Sequence, residues 1–182
     1  MKNLTFRHDI LPLKDMLFRV ALRIVQVRED AEDIVQETLL KVWNRRNSWA
    51  DIEQIDAWCV TICRNLALDA LRKRSFRQAA EMADTQQQAD SSPTPLEETH
   101  HNDRVERVRQ LIDTLPEKQR TCLQLRDVEG KSYKDIADIL GITQEQVKVN
   151  IFRGRQAVRN KYQKLDEYGL YIHRSSSWSM YL

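Results

Sequence analysis

The sequence predicts an all-α protein: two small helical domains joined by a flexible linker. Apolar residues recur at spacings of three and four on both sides of a polar stretch, as one face of a helix requires. Turn formers are scarce, with four Gly and four Pro in 182 residues. Charged residues reach 31%, a balance that favours helices over sheet. Between the periodic stretches the chain is rich in Ala, Gln, Asp, Ser and Pro and poor in large apolar groups, which is a linker composition. The predicted limits are 10–75 for the first domain, 76–103 for the linker, 104–165 for the second domain and 166–182 for an aromatic tail.

The first domain reads as three helices. Leu13, Met16, Leu17, Val20, Ala21 and Ile24 set the first apolar stripe, from about Leu11. Ala31, Ile34, Val35, Thr38, Leu39, Val42 and Trp43 set the second, and Trp58, Ile62, Leu66 and Leu71 the third. Each helix is too polar to persist alone, so the three should share one core. The polar face of the second helix carries Glu29, Asp33 and Glu37 at steps of four, with Glu32 and Gln36 beside them. Carboxylates stacked in this way suit a magnesium ion, a docking surface or a solvated face.

A loop, RRNSWADIEQID, leads to the third helix, where Arg64, Arg72, Lys73, Arg74 and Arg77 face one carboxylate, Asp69. Trp43, Trp49 and Trp58 flank that loop. Cations beside aromatics suit a DNA strand with unstacked bases: cations hold phosphates while aromatic or polar groups hold bases. Tryptophans packed for structure are the simpler reading, and the favoured one for Trp58. The linker of about 28 residues spans ~30 Å as flexible coil and about 90 Å when extended. Two domains so tethered can touch DNA a turn or more apart, at ~34 Å per turn.

In the second domain Val105, Val108, Leu111 and Ile112 form a first helix. Leu115-Pro116-Glu117 resembles a helix start with Pro at the first position, and Cys122, Leu123 and Leu125 continue the core. The stretch Ser132–Lys161 then has the layout of a helix-turn-helix. Ser132 and Asp135 have cap spacing, Ile136, Ala137, Ile139 and Leu140 give an apolar face, and Gly141 suits a reversal through positive φ. Thr143 and Gln146 restart a second helix with the spacing of a capping box. Val147, Ile151, Val158 and Tyr162 should pack inward. Lys148, Arg153, Arg155, Arg159, Lys161 and Lys164 oppose a single anion, Glu145, between residues 143 and 164. Gln144, Gln146, Lys148 and Asn150 occupy the early turns, where base edges are usually reached.

The net charge of +2 is nearly neutral, so this basic helix is balanced by acid elsewhere. No run approaches the ~20 apolar residues of a membrane span, and the first residues lack a signal-peptide core, which predicts a cytoplasmic protein. Cys59, Cys63 and Cys122 form no disulfide framework. A zinc site with His100 or His101 competes with their simple burial as small apolar residues, and burial is favoured because the histidines lack ligand spacing. No metal or other cofactor is expected.

DAEDIVQETLLKVW, AWCVTICRNLALDALRKR, LPEKQR and the helix-turn-helix, in this order and separation, resemble the extracytoplasmic function (ECF) group of bacterial sigma factors over about residues 10–165. The resemblance implies sigma region 2, a bundle of three or four helices, in the first domain and sigma region 4 in the second. The implied partners are core RNA polymerase, promoter DNA and an anti-sigma factor, which in this family is often membrane-bound. The implied task is promoter-specific initiation of transcription without any covalent chemistry. Asp30, Glu32, Asp33, Gln36 and Glu37 match the motif that faces the polymerase clamp helices. The loop 44–56 and helix 57–74 match the part that opens and reads the −10 element, with Trp49, Asn65, Asp69, Arg72, Lys73 and Arg74 as its DNA-facing set. Lys148, Asn150, Arg153 and Arg155 match the helix that reads the −35 element, and Ser132, Tyr133, Gln144 and Gln146 complete that set. Asn150 stands where the family often has a basic residue, after Val149 instead of a small polar one, so individual promoter preference is expected at Asn150.

Two other functions fit parts of the chain. A stand-alone helix-turn-helix regulator would leave the first half without a task. A magnesium nucleotide hydrolase built on Glu29, Asp33 and Glu37 would lack a second carboxylate pair and a phosphate-cradling glycine loop.

Overall fold

The computed structural model describes residues 4–84 and 103–167, with side chains over 4–77 and 105–164. Among these residues every regular element is helical. His100 and His101, most of the predicted linker and nearly all of the predicted tail lie outside the described residues.

The first bundle consists of α1 (Lys14–Val25), α2 (Arg28–Asn44) and α3 (Ile55–Asp84). A π turn at Phe6–Ile10 and a 3-10 turn at Leu11–Leu13 precede α1. The π turn starts where the Thr5 hydroxyl accepts from the His8 N–H at 3.4 Å, and its Ile10 is fully buried. Gln26 closes α1 in the left-handed region, φ 58°, and its N–H donates to the Leu22 carbonyl; this reverses the chain into α2.

Most of the predicted stripes of α1 and α2 is buried: Leu17, Val20, Ala21 and Ile24, then Ala31, Ile34, Val35, Thr38 and Val42, while Leu13, Met16 and Leu39 are only half-buried and Trp43 is exposed. The buried Thr38 hydroxyl donates to the Ile34 carbonyl at 2.7 Å, so it brings no unpaired polar group into the core. The α3 stripe corrects the expectation. Its buried face is Ala57, Cys59, Val60, Cys63 and Ala67, while Trp58, Ile62, Leu66 and Leu71 lie partly exposed beside it. Small residues let α3 approach α1 closely, and the Cys63 thiol donates to the Leu17 carbonyl at 3.4 Å. Burial pushes Cys59 and Cys63 up to about 12, and Cys122 in the second bundle to about 11, so all three are protonated thiols within apolar surroundings. The helix also outruns its expected end at Arg74 by ten residues, through SFRQAAEMAD, where Ala79, Ala80 and Ala83 together with Arg77, Gln78, Glu81 and Met82 are good helix formers.

The second bundle consists of α4 (Asp103–Asp113), α5 (Glu117–Leu123), α6 (Tyr133–Leu140) and α7 (Gln144–Glu167). A π turn, Gln124–Val128, extends α5. Pro116 is the extended residue before α5, one place earlier than the sequence suggested. The buried Arg120 guanidinium donates to the Asp113 carbonyl at 2.9 Å and so fastens the end of α4 to α5. Gly154 lets α7 lie tight on α5: a Cβ there would come within 2.9 Å of Leu123 Cδ1.

The two bundles meet through charged groups. Arg19 of α1 makes paired bonds to Glu129 at 2.9 and 2.7 Å, and Arg23 reaches Asp113 at 2.6 Å. Arg64 of α3 faces Glu117 at 3.4 Å, and Lys131 pairs with Asp56. Burial, the largest single effect, works to raise the Asp56 carboxyl. The hydrogen bonds from Lys131 and the Ala57 N–H nevertheless hold it below the usual carboxylate range.

Candidate nucleic-acid interface and docking face

The helix-turn-helix is built as its sequence predicts. The Ser132 hydroxyl accepts from the Asp135 N–H at 3.1 Å, and the Asp135 carboxylate accepts from the Ser132 N–H at 3.1 Å and hydroxyl at 2.7 Å. These bonds depress the Asp135 carboxyl, the Ser132 side chain most of all. Gly141 closes α6 at φ 62°, where its N–H donates to the Ala137 carbonyl. Thr143 and Gln146 exchange reciprocal bonds at 3.0 and 3.2 Å, so α7 restarts two residues after the turn. Val147, Ile151 and Val158 of α7 are buried, which fixes the opposite face outward.

On that outward side Gln144, Gln146, Lys148 and Arg153 are exposed. Lys148 lies 6.0 Å above the ring of Tyr133, and Arg126 stacks on the same ring at 4.8 Å. Arg153 is exposed and has no ion-pair partner among the described residues. Two predicted readers are more constrained. Arg155 pairs with Asp127, and that hydrogen bond holds its guanidinium pKa above the ordinary value. Asn150 is half-buried and its amide donates to the Gln146 carbonyl at 2.8 Å. Ser132 is exposed, but its hydroxyl is taken up by the cap.

In the first bundle Asn65, Asp69, Arg72, Lys73 and Arg74 all lie on the exposed side of α3, and Arg72 meets Asp69 at 3.4 Å. Trp49 is a correction. It is 5% exposed within the 3-10 turn Arg46–Asp51, and its indole N–H donates to the Val42 carbonyl at 3.1 Å. Phe6 stacks on it, with ring centroids 6.5 Å apart. Trp49 therefore anchors the loop to the end of α2 and presents no face to a base. Trp43, 44% exposed, is the more accessible ring; Phe6 meets it edge-on at 5.3 Å and Arg46 stacks at 5.0 Å.

The acidic stripe of α2 is exposed at Glu29, Glu32, Asp33, Gln36 and Glu37, and partly so at Asp30. Arg28 pairs with Glu32 and Lys41 with Glu37, each at 3.0 Å, while Asp33 between them has no ion-pair partner among the described residues. An open groove of about 480 Å³ adjoins the stripe, lined by Phe6, Gln36, Leu39, Leu40 and Trp43. Leu40 is 62% exposed beside it. Sequence reasoning missed this groove, because Phe6 precedes the first predicted helix. No group of three or more His, Cys, Asp or Glu placed to hold a metal occurs among the described residues.

Family models for Sigma-70 region 2 and Sigma-70 region 4 match residues 10–77 and 105–158, one for each bundle. The ECF RNA polymerase sigma factor EcfG of Rhodopseudomonas palustris is 33% identical over 151 residues, 83% of this chain and 81% of that protein. The chain belongs to the ECF sigma factors. That family is non-enzymatic. The ECF sigma factor SigE of Mycolicibacterium smegmatis is 32% identical over 148 residues; the match takes in 80% of this chain but only 57% of SigE. In fold, this ECF chain is similar to the sigma factor RpoE from Bartonella quintana, solved in complex with the anti-sigma factor NepR. The TM-score is 0.70 at 24% identity, over 87% of this chain and 96% of that one. No described helix is long and apolar enough to cross a membrane.

Proposed function

We propose that this ECF sigma factor docks on core RNA polymerase through α2 and directs the enzyme to promoters. In this reading α7 engages the −35 element, while the loop after α2 and the outer side of α3 open and hold the −10 element. One observation carries it: α2 and α7 turn opposite charges outward. Among the described residues neither Asp33, beside an apolar groove on α2, nor Arg153, on the capped recognition helix α7, has an ion-pair partner. An acidic face with apolar relief suits a protein partner, where side chains fill pockets. A basic helix face suits a phosphate-lined groove. The cytoplasm, where polymerase works, is the proposed compartment.

The reading is thermodynamic. Each DNA contact is small, and polymerase would fix the spacing of the two readers and raise their effective concentration. Contacts at the −10 element would offset an unstacking cost of a few kcal/mol. Lys131–Asp56 and the arginine pairs must part if the readers are to reach elements more than one helical turn apart. An anti-sigma factor is a second proposed partner. The likeness in fold to RpoE, solved with NepR, supports it, as does the closed contact between the bundles that such a partner could hold.

Footprinting tests the central reading. Protection that spans two elements and needs core polymerase is expected. Symmetric protection by the protein alone, unchanged when core is added, would point to a stand-alone regulator.

A further inference from the structure

The outward side of α7 is not wholly polar. Val149 is 44% and Phe152 68% exposed, and both are large apolar groups that no described residue covers. At about 100° per residue, Val149 stands about 200° and Phe152 about 140° around the helix from buried Val147. They therefore occupy the middle of the face presented to a partner, one turn apart. Asn150, in contrast, is about 60° from the buried direction, half-covered and bonded to its own helix. Glu145 lies on the same face one turn earlier, and Lys148 and Arg153 border the apolar pair on either side.

An apolar pair bordered by cations, on the second helix of a helix-turn-helix, fits the major groove. The groove displays one apolar group, the thymine C5-methyl, and Val or Phe side chains read it by contact. The cations meet the phosphates at the groove's edges. A hydrogen-bonding residue at position 149 would have favoured a base-edge donor or acceptor instead. We infer that Val149 and Phe152 form a thymine-methyl reader, and that this pair, more than Asn150, sets this chain's preference in the upstream element. The inference rests on the proposed promoter-reading function.

The test uses the full-length chain with core polymerase. Promoters are first selected from a library randomised in the upstream element, and a selected fragment is then remade with deoxyuridine replacing thymine one position at a time. This removes single methyl groups and leaves base pairing unchanged. At one or two positions, affinity of the wild-type holoenzyme should fall about fourfold per methyl, the scale of one buried methyl group. Val149→Ser should bind both fragments equally at one of those positions, and Phe152→Ala should do so at a neighbouring one. Both residues are exposed, so the variants should keep the fold, which circular dichroism and unchanged affinity for core would verify.

Selected elements without thymine on either strand would overturn the inference. So would a uracil penalty that persists in both variants, or a loss of core binding in Val149→Ser, which would place the pair against protein. If no library member is transcribed at all, the promoter-reading function itself fails. If transcription is selective but indifferent to methyl removal, only the methyl reader fails.

Discussion

Helices α2 and α7 solve the same packing problem and leave opposite surfaces. Each buries one stripe in a small bundle, through Ala31, Ile34, Val35, Thr38 and Val42 in one and Val147, Ile151 and Val158 in the other. The outward side of α2 keeps carboxylates and borders a groove. The outward side of α7 keeps cations around a protruding apolar pair. A receptive, acidic surface suits another protein's side chains, and a protruding, basic surface suits entry into a groove. The near-neutral total charge conceals this division, because the two faces cancel in the sum.

The comparison breaks first at Asp33. Asp33→Arg places a cation in the middle of the acidic stripe, and affinity for core polymerase is expected to fall by about 30-fold or more, the scale for reversing an interfacial charge. Circular dichroism should be unchanged because the residue is exposed. Unaltered pull-down of core would remove α2 from the docking role.

The next effect concerns the buried sides. Gly154→Val forces a side chain against Leu123, and a loss of about 1–3 kcal/mol in chemical denaturation is expected. Leu40→Ala on the exposed edge of the α2 groove should change stability by no more than about 0.5 kcal/mol while weakening core binding. Equal destabilisation by the two would show that the outward side of α2 also serves the fold.

Arg153→Ala sharpens the α7 side. If Arg153 neutralises one phosphate, promoter affinity falls and the slope of log affinity against log salt becomes shallower by about one. An unaltered slope would remove Arg153 from the phosphate contacts. The smallest effect lies between the bundles. The Asp56 carboxyl is lowered from its ordinary 3.8, so its contribution to closure is complete above that pH and is lost as pH falls through the lowered value. Asp56→Asn should expand the chain slightly in small-angle scattering at neutral pH, and the difference from wild type should vanish in acid. A difference that persists once Asp56 is protonated would assign the expansion to something other than this charge.

The helix-turn-helix was legible because its determinants are local. Ser132 with Asp135, Gly141, and Thr143 with Gln146 each act within four residues, and each forms the bond its spacing implies. The α3 core face was not, because Trp58, Ile62, Leu66 and Leu71 outweigh Cys63 and Ala67 in any apolar pattern. Only close approach to α1, a long-range fact, selects the smaller residues. Trp49 misled for a related reason. A tryptophan among arginines suits DNA, but the Val42 carbonyl at the end of α2, which also accepts from the Arg45 N–H, claims its indole N–H. The order of the two bundles and the acid/base division were readable from sequence. The groove at Phe6 and the outward Val149 and Phe152 were not, since an apolar residue on a helix gives no sign of whether anything covers it.

Run-off transcription by core polymerase on a promoter library, with and without this chain, tests the two-face reading most directly. The account predicts transcripts from a narrow subset of promoters only when the chain is present, lost with Asp33→Arg and diminished with Arg153→Ala. Selective promoter binding by the chain alone, with no effect on what core polymerase transcribes, would contradict it.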